Sequence, residues 1–366
     1  CKPSRRGSSA SQHTYNSSMS KTVLSHASEV PPASPPSSVI GKYKSSEKGV
    51  FGREPLTAFG TFKMYLGYLL ILPIRLALLV PFQIVLVGLV LLCLVGTGET
   101  GPKGCRKGLF ETMVYLWMRG TLFLFGYYYI PVTGPKEVPS GDQSYVVIGN
   151  HVGWMEVAWI FGHYAPSFVG KSSLKSIPVF GSIAVACNTI FIDRFATNKG
   201  YSVTDQIVSR LKSPGSKVGM FPEGTTTNNT AIVKFRTGAF VAGVPVVPVV
   251  FDYSFTFFDP AFSSCSLKFH LLGTLSQLCS FMSVRRLPVY YPSEAEKADP
   301  ALYASNVKAL MLSASGLKDS GEKYEDKLAW EATVGYESTE VRRRREQEAK
   351  KKGDGGEIEI TKEGQV

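Results

Sequence analysis

Leu76 to Val95 is a run of twenty residues without a charge, about the length that crosses the hydrocarbon core of a bilayer. A helix this apolar must be covered by lipid or by its own chain. A core helix of a soluble fold is the alternative, and the length of the run argues against it. The wider block, Phe62 to Gly96, is the most apolar in the sequence. Pro73, Arg75 and Pro81 interrupt it, which suits a bent hairpin entering one leaflet. Lys42, Lys44, Lys48, Arg53 and Lys63 precede the block, and Lys103, Arg106 and Lys107 follow it. Cationic flanks tend to stay on the cytosolic side, so a hairpin is favoured over a single crossing. A second apolar stretch, Leu109 to Val132, carries Glu111 and Arg119. It is expected to lie against the membrane or the folded domain.

Residues 1 to about 50 are rich in Ser and Pro and lack hydrophobic periodicity, the signature of a disordered segment. A transit peptide is the alternative there, because acids are scarce. From about Ser338 the chain is charged all round, with Arg342–Arg345 and Lys350–Lys352. It reads as a solvated tail, with a lipid-binding arm as the alternative. Lys and Arg number 40 against 29 Asp and Glu, a net charge of +11, which favours anionic partners: acidic lipid, phosphorylated substrates or nucleic acid. The six cysteines are scattered singly, pointing to a reducing compartment and no structural metal.

From Val132 onward apolar runs and helical patterns alternate. Strands are expected at Tyr145–Ile148, Thr189–Ile192, Val218–Phe221, Val246–Phe251 and Leu267–Leu272, and helices at Trp154–Tyr164, Tyr201–Leu211 and Ala301–Ser313. This order predicts an α/β fold with a mixed or mostly parallel sheet covered by helices, behind an N-terminal membrane-embedded helical segment.

Four short elements carry chemistry. Tyr145–Ile148 opens at Gly149-Asn150 into a turn bearing His151, and Glu156 follows five residues later. Five residues turn through about 500°, so the two would lie roughly 140° apart on a regular helix. They can meet only if His151 sits in the turn before the helix and folds back over it. Such a pair is a general base without its own nucleophile. The second element is Phe221-Pro222-Glu223-Gly224-Thr225-Thr226-Thr227-Asn228, at the C-terminal edge of a strand, where open α/β sheets place ligands. Gly224 lets backbone approach closely, and the Thr hydroxyls and N–H groups can bind oxyanions. The third element runs from Lys171 to Arg194 with a cation at each end. The fourth is Val244-Pro245-Val246-Val247-Pro248-Val249, whose prolines point to an edge strand or an irregular ladder. Gly96-Thr97-Gly98-Glu99-Thr100-Gly101 fits a dinucleotide fingerprint, but no helix is expected after it, and Gly170-Lys171-Ser172 lacks the leading glycine of a P-loop.

In this order the four elements resemble the blocks of the glycerolipid acyltransferase family, which moves acyl groups from acyl-CoA to glycerophosphates and lysophospholipids. The likeness runs from about Phe62 to Gly335. Thr225–Asn228, Phe235-Arg236-Thr237-Gly238-Ala239-Phe240, Arg286–Ser293 and Asp299–Val307 resemble plant-type lysophosphatidylethanolamine acyltransferases in particular. One position departs: the family pattern is H-x-x-x-x-D, and this chain has Glu156.

The resemblance implies an acyl-CoA-dependent lysophospholipid acyltransferase, with His151 as base and Glu156 holding its other ring nitrogen. Arg194, Glu223, Gly224 and Thr225 would shape the acceptor-phosphate site, with Lys171 and Arg236 as further cations and Glu223 orienting Arg194 or Lys171. Acyl-CoA would be a co-substrate. No cofactor, metal or nucleic acid is expected, and the partners would be acyl-CoA, a lysophospholipid (lysophosphatidylethanolamine first) and the bilayer. The implied location is the endoplasmic reticulum, catalytic domain toward the cytosol, or a plastid. A lysophosphatidic acid acyltransferase and a non-catalytic lipid-binding relative are the alternatives. The expected organisation is a disordered segment 1–60, membrane-associated helices 61–132, a catalytic domain 133–290, a helical extension 291–337 and a charged tail 338–366.

Overall fold

The structure is a computed structural model that describes residues 49–97, 102–171, 175, 184, 185, 189–192, 203–263 and 265–333. The stretch up to residue 48, the tail from residue 334, Arg194 and the side chain of Lys171 lie outside that description.

Apolar runs after Val132 build one seven-stranded sheet. Its strands are β1 (Val132–Thr133), β2 (Tyr145–Gly149), β3 (Ser167–Lys171), β4 (Ile190–Ile192), β5 (Lys217–Met220), β7 (Val246–Ser254) and β8 (Phe281–Arg286), in the order β1-β8-β7-β2-β5-β3-β4. All neighbours pair in parallel except β7 with β8. The sheet is thus mostly parallel and mixed. A separate parallel pair joins β6 (Ala231–Ile232) to β9 (Lys318–Asp319).

β2 is buried along its whole length, as a strand covered on both faces must be. Its side chains alternate between two cores. Tyr145 and Val147 join Trp159 and Phe161 of α4 (Met155–Tyr164) and Trp117 and Leu122 of α3 (Cys105–Leu124). Val146 and Ile148 join Ile207 of α5 (Val203–Lys212) and Tyr303, Val307 and Met311 of α8 (Pro300–Ala314). The helices after residue 291 therefore share the sheet's core rather than forming an extension. At the other end, Val50 and Phe51 pack with Ala231, Val233 and Trp330, so residues 49–60, read above as disordered, belong to the fold.

Two strand expectations change. Leu267–Leu272 is helical, within α6 (Leu267–Ser276), because the Ser266 hydroxyl accepts from the Phe269 N–H and caps a first turn. A short apolar run does not separate helix from strand by periodicity alone. The place beside β7 goes to Phe281–Arg286. β7 itself is interior, not an edge, and its prolines coincide with an irregular ladder. Val246 bridges Tyr290 while Val249 pairs with Arg286, so the register slips by one residue across Pro248, as in a bulge.

The apolar block forms α1 (Ala58–Leu70) and α2 (Leu72–Leu94), joined at Ile71. Pro73 falls in the first turn of α2, where a missing N–H costs little, and Pro81 lies within the continuing helix. The hairpin lies between α2 and α3. Gln83 accepts from Trp117 Nε1 and donates to Thr121 Oγ1 (2.9 Å), and Arg106 donates to the carbonyls of Leu92 and Val95. These pairings run in opposite directions along the two helices. α2 is long and apolar enough to cross a membrane, and only 17% of its most apolar window is buried. Arg75 is the exception, a buried cation donating to the carbonyls of Leu275 (2.7 Å), Gln277 and Leu278 (2.9 Å) at the end of α6.

α1 approaches α6 through Gly67, where an added Cβ would stand 2.1 Å from the Ser276 carbonyl oxygen. Gly67→Ala must push the helices apart, and we expect a destabilisation of about 1–3 kcal/mol, read as a lower unfolding temperature in detergent. An unchanged melt would show that the contact is loose.

Candidate active site

β2 and β5 are parallel neighbours with Ile148 opposite Met220, so the loops leaving their C-terminal ends rise side by side. One carries His151, the other Pro222-Glu223-Gly224-Thr225. β7, on the other side of β2, continues from Val249 opposite Gly149 to Ser254 and stands above that edge. Asn150 closes the gap: its side-chain amide donates to the Phe251 carbonyl (2.9 Å) and accepts from the Phe251 N–H (2.8 Å), as a backbone would.

The turn brings His151 back over the start of α4. His151 Nδ1 lies 3.0 Å from Glu156 Oε1, with the imidazole 21% exposed and the carboxylate fully buried. Oε1 also accepts from the Val152 N–H and from the Gly153 N–H at 2.6 Å. Oε2 accepts from the Tyr253 hydroxyl at 2.5 Å. The imidazole is stacked on Phe221, ring centroids 4.1 Å apart. With Nδ1 engaged, Nε2 is the nitrogen left for a substrate. Burial alone would raise the Glu156 carboxyl. The hydrogen bond and charge of His151, with the bonds from Tyr253 and Gly153, hold it below the ordinary carboxylate range instead.

Glu223 is expected to orient Arg194 or Lys171, whose side chains lie outside the described residues. It is fully buried, accepting from the His151 N–H (2.8 Å) and the Val233 N–H (3.1 Å). It holds the turn that carries His151 from beneath and has no surface to offer an acceptor phosphate. Burial pushes its carboxyl up to about 8, against those two hydrogen bonds and with the Glu156 charge adding to the rise. Gly224 has φ +68°, a left-handed turn that favours glycine, and the Arg236 side chain lies across it: an added Cβ would be 2.8 Å from Nε. Arg236 also faces the Tyr324 ring at 4.9 Å and Glu325 at 3.5 Å, and is about half exposed.

The Thr run is turned inward. Thr225 is buried, Thr226 donates to the Phe262 carbonyl, and the Thr227 N–H donates to the His151 carbonyl at 2.8 Å. Lys327, itself buried, donates to Thr226 Oγ1 at 3.1 Å from α9 (Tyr324–Thr333). Asn228 donates to the carbonyls of Gly49 and Gly52, each at 2.9 Å. The Thr226 hydroxyl and the Thr227 N–H thus brace the loop rather than await an oxyanion. Lys171 ends β3, paired with Ile192 of β4; its side chain and Arg194 fall outside the described residues. Asn150, Phe221, Tyr253 and Lys327 were not singled out from sequence. Asn150 carried a signal, an amide between strand and His151, while the other three are joined to the site only by the fold.

Residues 129–252, from just before β1 to within β7, match the family described as Acyltransferase. This stretch is similar to an acyltransferase domain. Lysophospholipid acyltransferase LPEAT1 of Arabidopsis thaliana is 32% identical over 252 residues, 61% of this chain and 63% of that protein. Lysophosphatidylcholine acyltransferase 1 of Danio rerio is 33% identical over 244 residues, 63% of this chain and 46% of that protein. The chain thus spans less than two thirds of the length of these relatives. The crystal structure of a 1-acyl-sn-glycerophosphate acyltransferase from Thermotoga maritima aligns with a TM-score of 0.49 at 17% identity, covering 68% of this chain and 94% of that one. Within the matched segment, the pair that can move a proton is His151 and Glu156, and Tyr253 lies one residue past it.

Glu223 makes pH a test of the domain's frame. Unfolded, its carboxyl ionises near 4.5; folded, near 8. Between the two the unfolded chain releases a proton that the folded chain keeps. Its contribution to stability is therefore full below about pH 4.5 and is lost as pH rises through about 8. Glu223→Gln cannot ionise, so its melting temperature should fall less than that of the wild type between about pH 5 and 8.5. Parallel curves in circular dichroism melts would show that Glu223 keeps one protonation state.

Proposed function

We propose that the chain is a lysophospholipid acyltransferase that uses acyl-CoA to esterify a free glycerol hydroxyl, with lysophosphatidylethanolamine as first acceptor. The observation that carries this reading is the His151–Glu156 pair. It is a histidine with one nitrogen fixed by a buried carboxylate, the other open, and no Ser, Thr or Cys side chain hydrogen-bonded to the ring among the described residues. That is the equipment for direct transfer. His151 Nε2 takes the proton of the acceptor hydroxyl as its oxygen attacks the thioester carbonyl. The tetrahedral intermediate collapses with loss of the CoA thiolate, which takes the proton from the imidazolium, while Glu156 stabilises that cation in between. Arg236, beside Gly224, is the described cation we assign to the acceptor phosphate, and Lys171 and Arg194 are its partners in that role.

The names of the relatives support a lysophospholipid acceptor, and those called lysophosphatidylcholine acyltransferases make the choline headgroup the second candidate. Both substrate and product are bilayer lipids, and drawing each methylene into water costs about 0.8 kcal/mol. Docking of the exposed faces of α1 and α2 on a membrane lets the acyl chain slide across without that cost. We place that membrane in the endoplasmic reticulum with the domain on its cytosolic face; a tagged chain in plastids would overturn the placement.

The deciding assay gives the purified chain, in bilayer discs, a labelled acyl-CoA and lysophospholipids bearing ethanolamine, choline and no headgroup. Esterification of the ethanolamine lipid above the others is expected. A preference for lysophosphatidic acid would shift the acceptor, and no transfer to any of them would leave a lipid-binding relative. His151→Ala should lower turnover by about 10²–10⁴ with the melt unchanged, and near wild-type turnover would remove His151 from the mechanism. The chain should also stay with membranes through high-salt and alkaline washes, which strip proteins held by charge alone. Recovery in the supernatant would overturn membrane insertion.

A further inference from the structure

Glu156 is held through both oxygens, by different parts of the fold. Oε1 faces the His151 ring, the Val152 N–H and the Gly153 N–H, all from the turn just before it. Oε2 faces one side chain, Tyr253, from the far end of β7. A carboxylate only accepts, so the tyrosine hydroxyl donates. Tyr253 is itself nearly inaccessible, fixed by its pairing with Met282 and by the buried Tyr127 ring, edge-on at 6.4 Å.

We propose that Tyr253 is a positioning residue for the base, acting through Glu156 Oε2, and that it is what suits a glutamate to this site. The proposal rests on the acyl-transfer reading above. With both oxygens tied, the carboxylate cannot turn about its last bond, so Oε1 stays aimed at Nδ1 and the imidazole keeps one orientation. Without the hydroxyl, Oε2 is a buried anionic oxygen with no donor, and Glu156 takes up a proton more readily. A neutral acid gives an imidazolium little support. An aspartate at the same backbone position would be shorter by one carbon–carbon bond, about 1.5 Å. It could satisfy the turn or the tyrosine, not both.

The test is Tyr253→Phe in the full chain, which removes one oxygen and keeps the ring. Turnover should fall about ten- to a hundredfold with KM little changed, and the acid limb of the pH–rate profile should move to higher pH. The limb moves that way because a less stabilised carboxylate makes the His151–Glu156 pair bind its proton more tightly. In a Glu156→Asp background the same substitution should cost far less than in wild type. Histidine-labelled NMR gives a reading that needs no substrate: the His151 signal, identified by its loss in His151→Ala, should titrate at higher pH in Tyr253→Phe. If wild type transfers no acyl group, the functional reading fails and the NMR titration still tests Tyr253. An unmoved acid limb and an unmoved His151 titration, with only a lower melting temperature, would make Tyr253 a core residue and overturn the proposal. Full additivity of the two substitutions would overturn it as well.

Discussion

The site depends on a carboxylate that has no contact with water. An ion at that depth is tolerated only when its lone pairs are met by donors. Glu156 finds His151 and two N–H groups in the turn, and a hydroxyl on β7. Satisfying it therefore fixes the turn, sets the imidazole's orientation and requires β7 to run on past the sheet's edge. Glu223 sits under the same turn and could not also ionise without placing two negative charges in one apolar frame. Its carboxyl is pushed the other way, up to about 8, while that of Glu156 is held low. Two buried acids with opposed ionisation preferences suit separate duties: one presents charge to the His151 ring, the other holds the turn's backbone.

Strict alternation of apolar runs and turns made β2, β5 and β7 legible, and the cap at Asp299 explains why α8 begins close to where the sequence places it. The meeting of His151 with Glu156 also follows from spacing, since a five-residue separation closes only around a turn. Other parts were hidden for physical reasons. β8 is a mixed stretch, Phe281-Met282-Ser283-Val284-Arg285-Arg286, whose strand character comes from its pairing with β7. Leu267–Leu272 carries the apolar content of a strand, and a single hydroxyl at Ser266 makes it a helix. Glu223 reads as an acid that orients a cation of the phosphate site because it lies in a loop beside Gly224 and the threonines. Only the closure of β6 and the turn over it shows that the loop's side chains point inward.

Tyr253 illustrates what no window of sequence contains. It lies 97 residues from Glu156 and is one of several aromatic residues in a β-rich segment. Its role exists because β7 pairs in parallel with β2 and overshoots it. Lys327 is a similar case from the other end of the chain, a buried cation whose partners are Thr226 and, at 3.9 Å, Glu331. The segment matched to the acyltransferase family ends before both. The matched segment supplies His151 and Glu156 with most of their partners, and Tyr253, just beyond it, adds the hydroxyl on Oε2.

The stretch between β7 and β8 joins the base to the apolar helices. On its inner side, the Phe262 N–H donates to the Val152 carbonyl at 2.7 Å, and the buried His270 ring lies against Gly153, both residues of the turn that carries His151. On its outer side, Phe257 meets Phe59 and Lys63 of α1, Ser276 receives Gly67, and Leu275 to Leu278 receive Arg75 of α2. Arg53 adds a further tie, to the carbonyls of Asp259 and Ala261. A charged side chain such as Arg75 stays buried in an apolar helix only where it meets acceptors, and the carbonyls at the end of α6 are those acceptors. The helices that face outward with apolar surface are therefore fastened, through one short segment, to the turn that carries His151. The placement of those apolar helices and the orientation of His151 are thus tied together through the segment between β7 and β8.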